Sequence, residues 1–118
     1  MADKNTRESM WNESRLQSEM YIWFHNTYPD LRGCMCYNLN NAAHKIAGVE
    51  AKAMGLQAGR SDMVLYFNGI AYMIEVKTPD GTQSKNQKEW QSIIEAQGFE
   101  YYIVRTLDEF KSLILTII

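Results

Sequence analysis

Two carboxylates and a lysine stand at the ends of two neighbouring apolar segments, and together they predict a catalytic site. Asp62 comes directly before the first segment, and the second segment ends on Glu75 and Lys77. The Asn68-Gly69 pair between the segments is a strong hairpin signal, so both segments should be antiparallel strands. Pairing then brings the three side chains to one end of the hairpin. Such a group suits a divalent cation and an activated water, which is the chemistry of phosphodiester cleavage.

The residue types at this site fit Mg²⁺ or Mn²⁺. Magnesium prefers oxygen ligands and usually takes one or two carboxylates while keeping several waters. Asp62 and Glu75 are the predicted carboxylate ligands, and the backbone carbonyl of Val76 is a predicted third oxygen ligand. Lys77 shares a strand face with Glu75, so we expect its ammonium group to orient the attacking water or to stabilise the transition state. A role as general base would need a lowered pKa, which two nearby carboxylates oppose.

The same spacing has a plainer interpretation. An acid and a lysine two residues apart on a strand are often only a solvated ion pair that contributes little energy. The catalytic interpretation depends on the context, because Glu75 and Lys77 end an otherwise apolar strand whose hairpin partner begins at Asp62.

The pattern along the chain predicts a mixed α/β fold. Apolar residues at helical spacing predict a first helix, which Pro29 ends. After the hairpin, Ser84 is the predicted cap of a helix that Gly98 stops. The last strand should lie parallel to its neighbour after this helical crossover. The complete prediction is helix 9–26, strand 33–39, a possible helix 42–54, strands 63–67 and 71–77, helix 84–96, strand 100–105 and helix 107–114.

Length and composition predict a single domain over residues 1–118, with its core at about 9–114. The chain has 118 residues, of which 46% are hydrophobic and 22% charged, as in ordinary globular proteins. No apolar run approaches the roughly 20 residues that span a bilayer, and the polar segment 1–14 is not a secretory signal. We therefore expect a cytoplasmic protein, in a bacterium or in the host cell of a virus. The apolar end at 113–118 fits a core strand, a helix end or a subunit contact.

The charge balance limits the kinds of nucleic-acid binding that are expected. A formal net charge of −2 argues against a general nucleic-acid coating protein, which is usually basic. It leaves room for an enzyme that meets DNA through a local patch and bound cations. Arg60, Lys77, Lys85 and Lys88 are the residues expected to line such a cleft.

Two cysteines and two histidines raise the alternative of a zinc site. Cys34 and Cys36 flank Met35, with His25 and His44 on either side, but the usual C-x-x-C pairs are absent. Alternate residues of a strand share a face. Both thiols are therefore also explained as free cysteines that pack inward.

A series of spaced residues along nearly the whole chain matches a known family. In chain order these are Glu13-x-x-x-Gln17, Gly59-x-x-Asp62, Glu75-Val76-Lys77, Gln87, and Gly98 before a Tyr-Tyr-Ile-Val strand. In this arrangement the sequence resembles the VRR-NUC family, the virus-type replication–repair nucleases of the PD-(D/E)xK nuclease superfamily. The resemblance spans about residues 13–114. It departs from the superfamily name at Ser61, where a proline would precede Asp62.

The resemblance implies a restriction-endonuclease-like core, with a mixed central β-sheet flanked by helices in αβββαβ order. Asp62, Glu75 and Lys77 would be the catalytic set, and Gln87 would contact the scissile phosphate or its water. Without the resemblance, Gln87 is equally explained as a surface glutamine. Glu13 is the expected acid of the first helix because it lies nearer than Glu19 to the centre of the apolar stripe, although Glu19 stays open as the alternative.

The resemblance also implies an activity: a Mg²⁺- or Mn²⁺-dependent, structure-selective DNA endonuclease. Small members of this kind resemble Holliday-junction resolvases that cut branched DNA as homodimers. The physical logic agrees, since symmetric cleavage of a four-way junction needs two sites related by a twofold axis. A phage or mobile-element origin and a role in DNA repair are implied in the same way. The alternatives are a nicking, flap or restriction-type nuclease, a non-catalytic DNA-binding module on the same fold, and an α/β interaction protein.

Overall fold

The computed structural model describes residues 7–38 and 45–118. Its helices are separated by short strands, as the sequence pattern predicts. The elements are α1 (Glu13–Thr27), a 3₁₀ turn (Pro29–Leu31), β1 (Met35–Tyr37), α2 (Lys45–Ala53), β2 (Met63–Phe67), β3 (Ile70–Val76), α3 (Lys85–Ala96), β4 (Glu100–Val104) and α4 (Leu107–Ile117).

Within the described residues, the strands form one mixed four-stranded sheet in the order β1-β2-β3-β4. β1 and β2 pair antiparallel, as do β2 and β3. β3 and β4 pair parallel, with Glu75 opposite Ile103, and α3 makes the crossover that a parallel pair requires. This confirms the predicted parallel last strand. It also places β3, which carries Glu75, in the interior of the sheet.

Local sequence signals explain where the helices begin and end. The Asn12 side chain accepts a hydrogen bond from the Arg15 N–H (2.9 Å) and caps α1, so the helix begins at Glu13 and not at residue 9 as predicted. Pro29 follows the end of α1 and opens the 3₁₀ turn. Thr106 caps α4 through the Glu109 N–H (3.0 Å). The Leu107 N–H donates to Glu8 Oε1 (2.9 Å), which ties the segment before α1 to the start of α4.

The apolar core lies on the face of the sheet that α1 and α4 cover. Each of these helices contributes three buried side chains at helical spacing, and every strand contributes at least one more. The buried members of this core are Leu16, Met20, Phe24, Met35, Met63, Leu65, Ile74, Val76, Val104, Leu107, Phe110 and Ile114. On the opposite face, α3 buries Trp90 against the ring of Tyr101, with ring centroids 6.2 Å apart.

Most predicted elements are confirmed, and the differences lie at their ends. The first strand is shorter than the predicted 33–39, because the Cys34 N–H closes a turn onto the Leu31 carbonyl (3.0 Å) before the strand begins. The predicted helix 42–54 is present as Lys45–Ala53, and residues 42–44 lie outside the described part. The apolar end at 113–118 is a helix end, since α4 continues to Ile117. Among the described residues, no helix is long and apolar enough to cross a membrane.

Candidate active site

Asp62 joins the two strands of the hairpin at the end where the site lies. Its Oδ2 accepts a hydrogen bond from the Val76 N–H at 2.7 Å. This bond fixes the Asp62 side chain beside Glu75, because Val76 is the next residue on β3. Strand alternation places Asp62 on the same face of the sheet as Glu75. The predicted convergence of the two carboxylates is therefore present in the folded chain.

Glu75 is the most unusual residue of the site. It is 0% exposed, and neither of its side-chain oxygens has a hydrogen-bond partner among the described residues. Burial raises the pKa of its carboxyl from the ordinary value of 4.5 to about 9, and the Asp62 carboxyl adds to this shift while Lys77 opposes it. An unpaired buried carboxyl costs stability unless something else satisfies it.

Lys77 lies one residue beyond β3, and its side chain is 7% exposed. Its Nζ is 3.8 Å from Glu13 Oε1, so the start of α1 contributes an acid to the site. Glu19, the alternative acid of this helix, instead pairs with Arg15 at 2.8 Å on α1 itself. The structure thus brings Glu13, and not Glu19, to the predicted catalytic residues.

A buried asparagine that the sequence pattern did not single out holds the segment before Asp62. The Asn38 N–H donates to the Asp62 carbonyl (2.9 Å), and its side-chain amide donates to the Ser61 carbonyl (3.1 Å). Arg60 donates to the Asn38 side-chain oxygen (3.0 Å). Ser61 is fully buried and its hydroxyl donates to the Met63 carbonyl (3.0 Å), a bond that a proline at this position would not make.

Gly59 brings α3 against this segment. Its φ of +82° lies in the left-handed region, and a Cβ built there would lie 2.3 Å from the carbonyl oxygen of Asn86. Only glycine permits such a close approach of two backbones. The contact places the first turns of α3, with the exposed Lys85 and Lys88 and with Gln87, next to the loop that carries Asp62.

Gln87 has a structural task in addition to the predicted catalytic one. Its Oε1 accepts from the Ser84 N–H (2.8 Å), while its own N–H donates to the Ser84 hydroxyl (3.2 Å). These reciprocal bonds form a capping box that starts α3. The capping bonds use the side-chain oxygen, so a contact with the substrate would fall to the side-chain NH₂ group.

Arg105 fixes the loop that follows Lys77. Its Nη1 donates to the carbonyls of Thr78 (2.9 Å), Pro79 (3.4 Å) and Gly81 (2.6 Å). The backbone N–H of Arg105 is itself held by Glu109 Oε2 at 2.6 Å. One guanidinium group therefore joins the end of β4 to the loop between Lys77 and α3.

The donor set fits a magnesium-like cation. The buried Glu75 oxygens, which have no hydrogen-bond partner within residues 7–38 and 45–118, lie beside Asp62, and magnesium usually takes one or two carboxylates from a protein. The zinc alternative needs more side-chain ligands than these two carboxylates. Among the residues that the structure describes, no group of three His, Cys, Asp or Glu side chains lies together as possible ligands of one metal ion. Cys34 and Cys36 are free and half-buried, and His44 lies outside the described residues. The Val76 carbonyl stays a predicted ligand.

Comparison with known families identifies the chain. Residues 3–107 match the family model described as the VRR-NUC domain. The chain belongs to the VRR-NUC family. This is a nuclease family, and the resemblance drawn from the spacing of Asp62, Glu75 and Lys77 is thereby confirmed. No curated protein matches the sequence significantly.

Solved structures of VRR-NUC proteins share the fold. A chain described as a VRR_NUC domain protein superposes with a TM-score of 0.75 at 19% identity, covering 92% of this chain and 88% of that one. A second, described as a VRR_NUC domain, gives a TM-score of 0.56 at 14% identity, covering 86% of this chain and 92% of the other. These similarities confirm the restriction-endonuclease-like α/β fold.

Two further residues near the site, Tyr101 and Gln83, were missed because their signals depend on the fold. Tyr101 is buried on the face of the sheet that carries Glu75, and Gln83 donates to its hydroxyl (3.3 Å). The register between β3 and β4 decides this proximity, and the sequence does not show that register. The capping role of Gln87 was visible in the sequence, because Ser-x-x-Gln before a helix is a capping-box pattern.

Proposed function

We propose that this VRR-NUC protein is a Mg²⁺- or Mn²⁺-dependent DNA endonuclease that cuts branched DNA, in the manner of a Holliday-junction resolvase. One observation carries the proposal: a fully buried Glu75 carboxyl beside Asp62 that has no hydrogen-bond partner in the described part of the chain. A protein that only bound DNA would gain nothing from this costly group. A nuclease needs it, because a divalent cation supplies an acidified water and offsets the charge of the phosphate.

Each residue of the site has a defined part in this proposal. Asp62 and Glu75 hold the cation, with the Val76 carbonyl as a further oxygen ligand. Lys77, which is nearly buried, places its ammonium group where negative charge develops on the phosphate. Glu13 lies against Lys77 Nζ and directs it into the site. The NH₂ group of Gln87 contacts the scissile phosphate or the attacking water.

The proposed substrate is branched DNA, and the proposed active form is a homodimer. Each chain carries one such site among its described residues, and one site cuts one strand. Two copies related by a twofold axis would cut a four-way junction symmetrically. Exposed cations of α3, Lys85 and Lys88, would meet the DNA backbone beside the site. Such an enzyme would act in the cytoplasm of a bacterium or of a cell infected by a virus.

The deciding experiment compares a labelled four-way junction with a linear duplex of the same sequence. Both are incubated with the protein in Mg²⁺, Mn²⁺ or chelator, alongside Asp62→Ala and Lys77→Ala. We expect cation-dependent cutting of the junction that both substitutions abolish. Asp30→Ala and Lys52→Ala are the matched controls, because they remove the same charges from exposed positions on other elements, and they should cut normally.

Other outcomes would assign a different function. Cutting of the linear duplex at one sequence would indicate a restriction-type nuclease, and cutting of single strands at a branch would indicate a flap or nicking enzyme. Binding of the junction with no cutting under any of these conditions would contradict the proposal and indicate a non-catalytic module. Light scattering that found only monomer at micromolar concentration would contradict the homodimer.

A further inference from the structure

Tyr101 lies close to Glu75 in the sheet, although the two are far apart in sequence. The parallel register of β3 and β4 pairs Met73 with Tyr101 and Glu75 with Ile103. Alternate strand residues share a face, so Tyr101 is the diagonal neighbour of Glu75 on the adjacent strand. Tyr101 is 9% exposed. Its ring packs against Trp90 of α3, with ring centroids 6.2 Å apart.

Gln83 determines the direction in which the Tyr101 hydroxyl donates. The Gln83 side-chain nitrogen donates to Tyr101 Oη (3.3 Å) and to Gln91 Oε1 (3.0 Å). The tyrosine oxygen is the acceptor in this bond, so its own O–H is left to donate elsewhere. A tyrosine hydroxyl ordinarily keeps its proton at neutral pH and is therefore available as a donor.

The matching acceptor is Glu75, whose two oxygens have no hydrogen-bond partner among the described residues. We propose that Tyr101 is a positioning residue for Glu75: its hydroxyl, oriented by Gln83, donates to the Glu75 carboxylate and directs it toward Asp62 and the cation. Active-site hydrogen bonds often become short only when the ligand is bound. The inference rests on the proposed function, because it assigns a role at that same site.

The same hydrogen bonds connect the site to α3. Gln83 lies in the loop after Lys77, and its partner Gln91 lies on α3. A single amide group thus links the tyrosine beside Glu75 to the helix that carries Gln87. Groups that orient metal ligands typically change metal affinity or activity by 10- to 100-fold when removed, and this sets the size of the expected effect.

The experiment measures Mn²⁺ binding by calorimetry in the absence of DNA, together with cleavage of the junction. Tyr101→Phe removes the hydroxyl and keeps the ring that packs on Trp90. We expect its Mn²⁺ affinity to fall about tenfold and kcat to fall with KM for DNA unchanged. Tyr102→Phe is the matched control, since Tyr102 is the next residue and lies on the opposite face. It should bind Mn²⁺ as the wild type does.

Gln83→Met tests the orienting step separately. This substitution should weaken Mn²⁺ binding less than Tyr101→Phe does. The double variant should be no weaker than Tyr101→Phe alone, because Gln83 acts through the hydroxyl. Wild-type affinity in Tyr101→Phe, or losses that add in the double variant, would overturn the inference. If thermal unfolding shows that Tyr101→Phe is not folded, Gln83→Met decides the question, and wild-type Mn²⁺ affinity in that variant overturns the inference.

The two readouts separate this inference from the proposed function. A wild-type protein that binds Mn²⁺ but cuts no DNA contradicts the proposed nuclease, while the affinities of the variants still decide the role of Tyr101. A wild-type protein that binds no Mn²⁺ overturns both. Cutting by the wild type, combined with unchanged Mn²⁺ binding in Tyr101→Phe, overturns the positioning role alone.

Discussion

At the scale of single residues, the site combines one side chain that lowers the stability of the fold with two whose positions are fixed by neighbouring groups. Asp62 is bound by a backbone N–H of β3, and Lys77 lies against Glu13. Glu75 has no such partner among the described residues. This contrast is expected at a functional site, where proteins keep unfavourable groups that serve the chemistry.

Glu75→Gln should stabilise the cation-free protein and abolish cation-dependent cleavage. The folded-state pKa of Glu75 is about 9, above its ordinary value of 4.5. The folded protein therefore holds a proton that the unfolded chain has released, and its stability falls as pH rises between these two values. The glutamine amide does not titrate, so the variant does not lose this stability. Its free energy of unfolding should therefore be about 1–3 kcal/mol higher than that of the wild type at pH 7.

Urea unfolding in chelator at pH 6 and pH 8.5 measures this difference. The gap between wild type and Glu75→Gln should widen at the higher pH. Glu89→Gln is the matched control, because the Glu89 side chain is 58% exposed, and it should follow the wild type at both pH values. Equal losses of stability with pH in wild type and Glu75→Gln would contradict the prediction.

Gln87→Glu separates the two tasks of Gln87. Glutamate also completes a capping box, so the free energy of unfolding should change little. The NH₂ donor is lost and a negative charge replaces it near the phosphate, so junction cleavage should fall about tenfold or more. Gln97→Glu, at the exposed end of α3, is the control for added charge. Wild-type cleavage by Gln87→Glu would show that Gln87 serves only as a cap.

At the scale of elements, the hairpin was predictable from the sequence, and the long-range contacts that hold the surrounding segments against it were not. The Asn68-Gly69 turn adopts positive φ at both residues (53° and 80°), as its sequence indicates. The turn and the apolar alternation together predict where Asp62 and Glu75 meet. The contacts of Asn38, Tyr101 and Arg105 depend on strand order and register. These follow from packing of the whole chain, so local sequence patterns do not reveal them.

Gly59→Ala should loosen the attachment of α3 to the Asp62 segment. The new Cβ would collide with the backbone of Asn86, at 2.3 Å from its carbonyl oxygen, and the positive φ adds strain. We expect a loss of about 2–4 kcal/mol in the free energy of unfolding, measured by urea denaturation. Gly33→Ala is the control, because Gly33 also has positive φ but no atom lies within 4 Å of the added Cβ.

The comparison of these two glycines isolates the backbone contact. Gly33→Ala should lose only about 1 kcal/mol, the cost of a left-handed non-glycine residue. Similar losses in both variants would mean that conformational strain alone makes Gly59 necessary, and that the approach of α3 contributes nothing.

At the scale of the whole molecule, the exposed end of α4 is the predicted dimer surface. Leu115 is 67% exposed and Ile118 is 42% exposed. Leu115→Glu should leave the free energy of unfolding nearly unchanged, within about 0.5 kcal/mol, but convert the proposed dimer to a monomer in light scattering. Junctions should then be nicked on one strand instead of being cut symmetrically.

A second apolar position provides the control for this surface. Ile70 is 48% exposed at the hairpin end of the sheet, away from α4. Ile70→Glu should leave the dimer intact. Dissociation by Ile70→Glu, with Leu115→Glu still dimeric, would place the interface at the hairpin and contradict the assignment to α4.

The long-range hydrogen bonds made by Arg105 and Leu107 have a consequence for protein synthesis. Arg105 fixes the loop after Lys77, and the Leu107 N–H binds Glu8 from 99 residues away. A nascent chain on the ribosome exposes both carboxylates and Lys77 well before these residues emerge. It therefore carries the predicted catalytic side chains before the hydrogen bonds of Arg105 and Leu107 can form. We therefore expect nuclease activity only after Arg105 and Leu107 have been synthesised and have folded onto the earlier part of the chain.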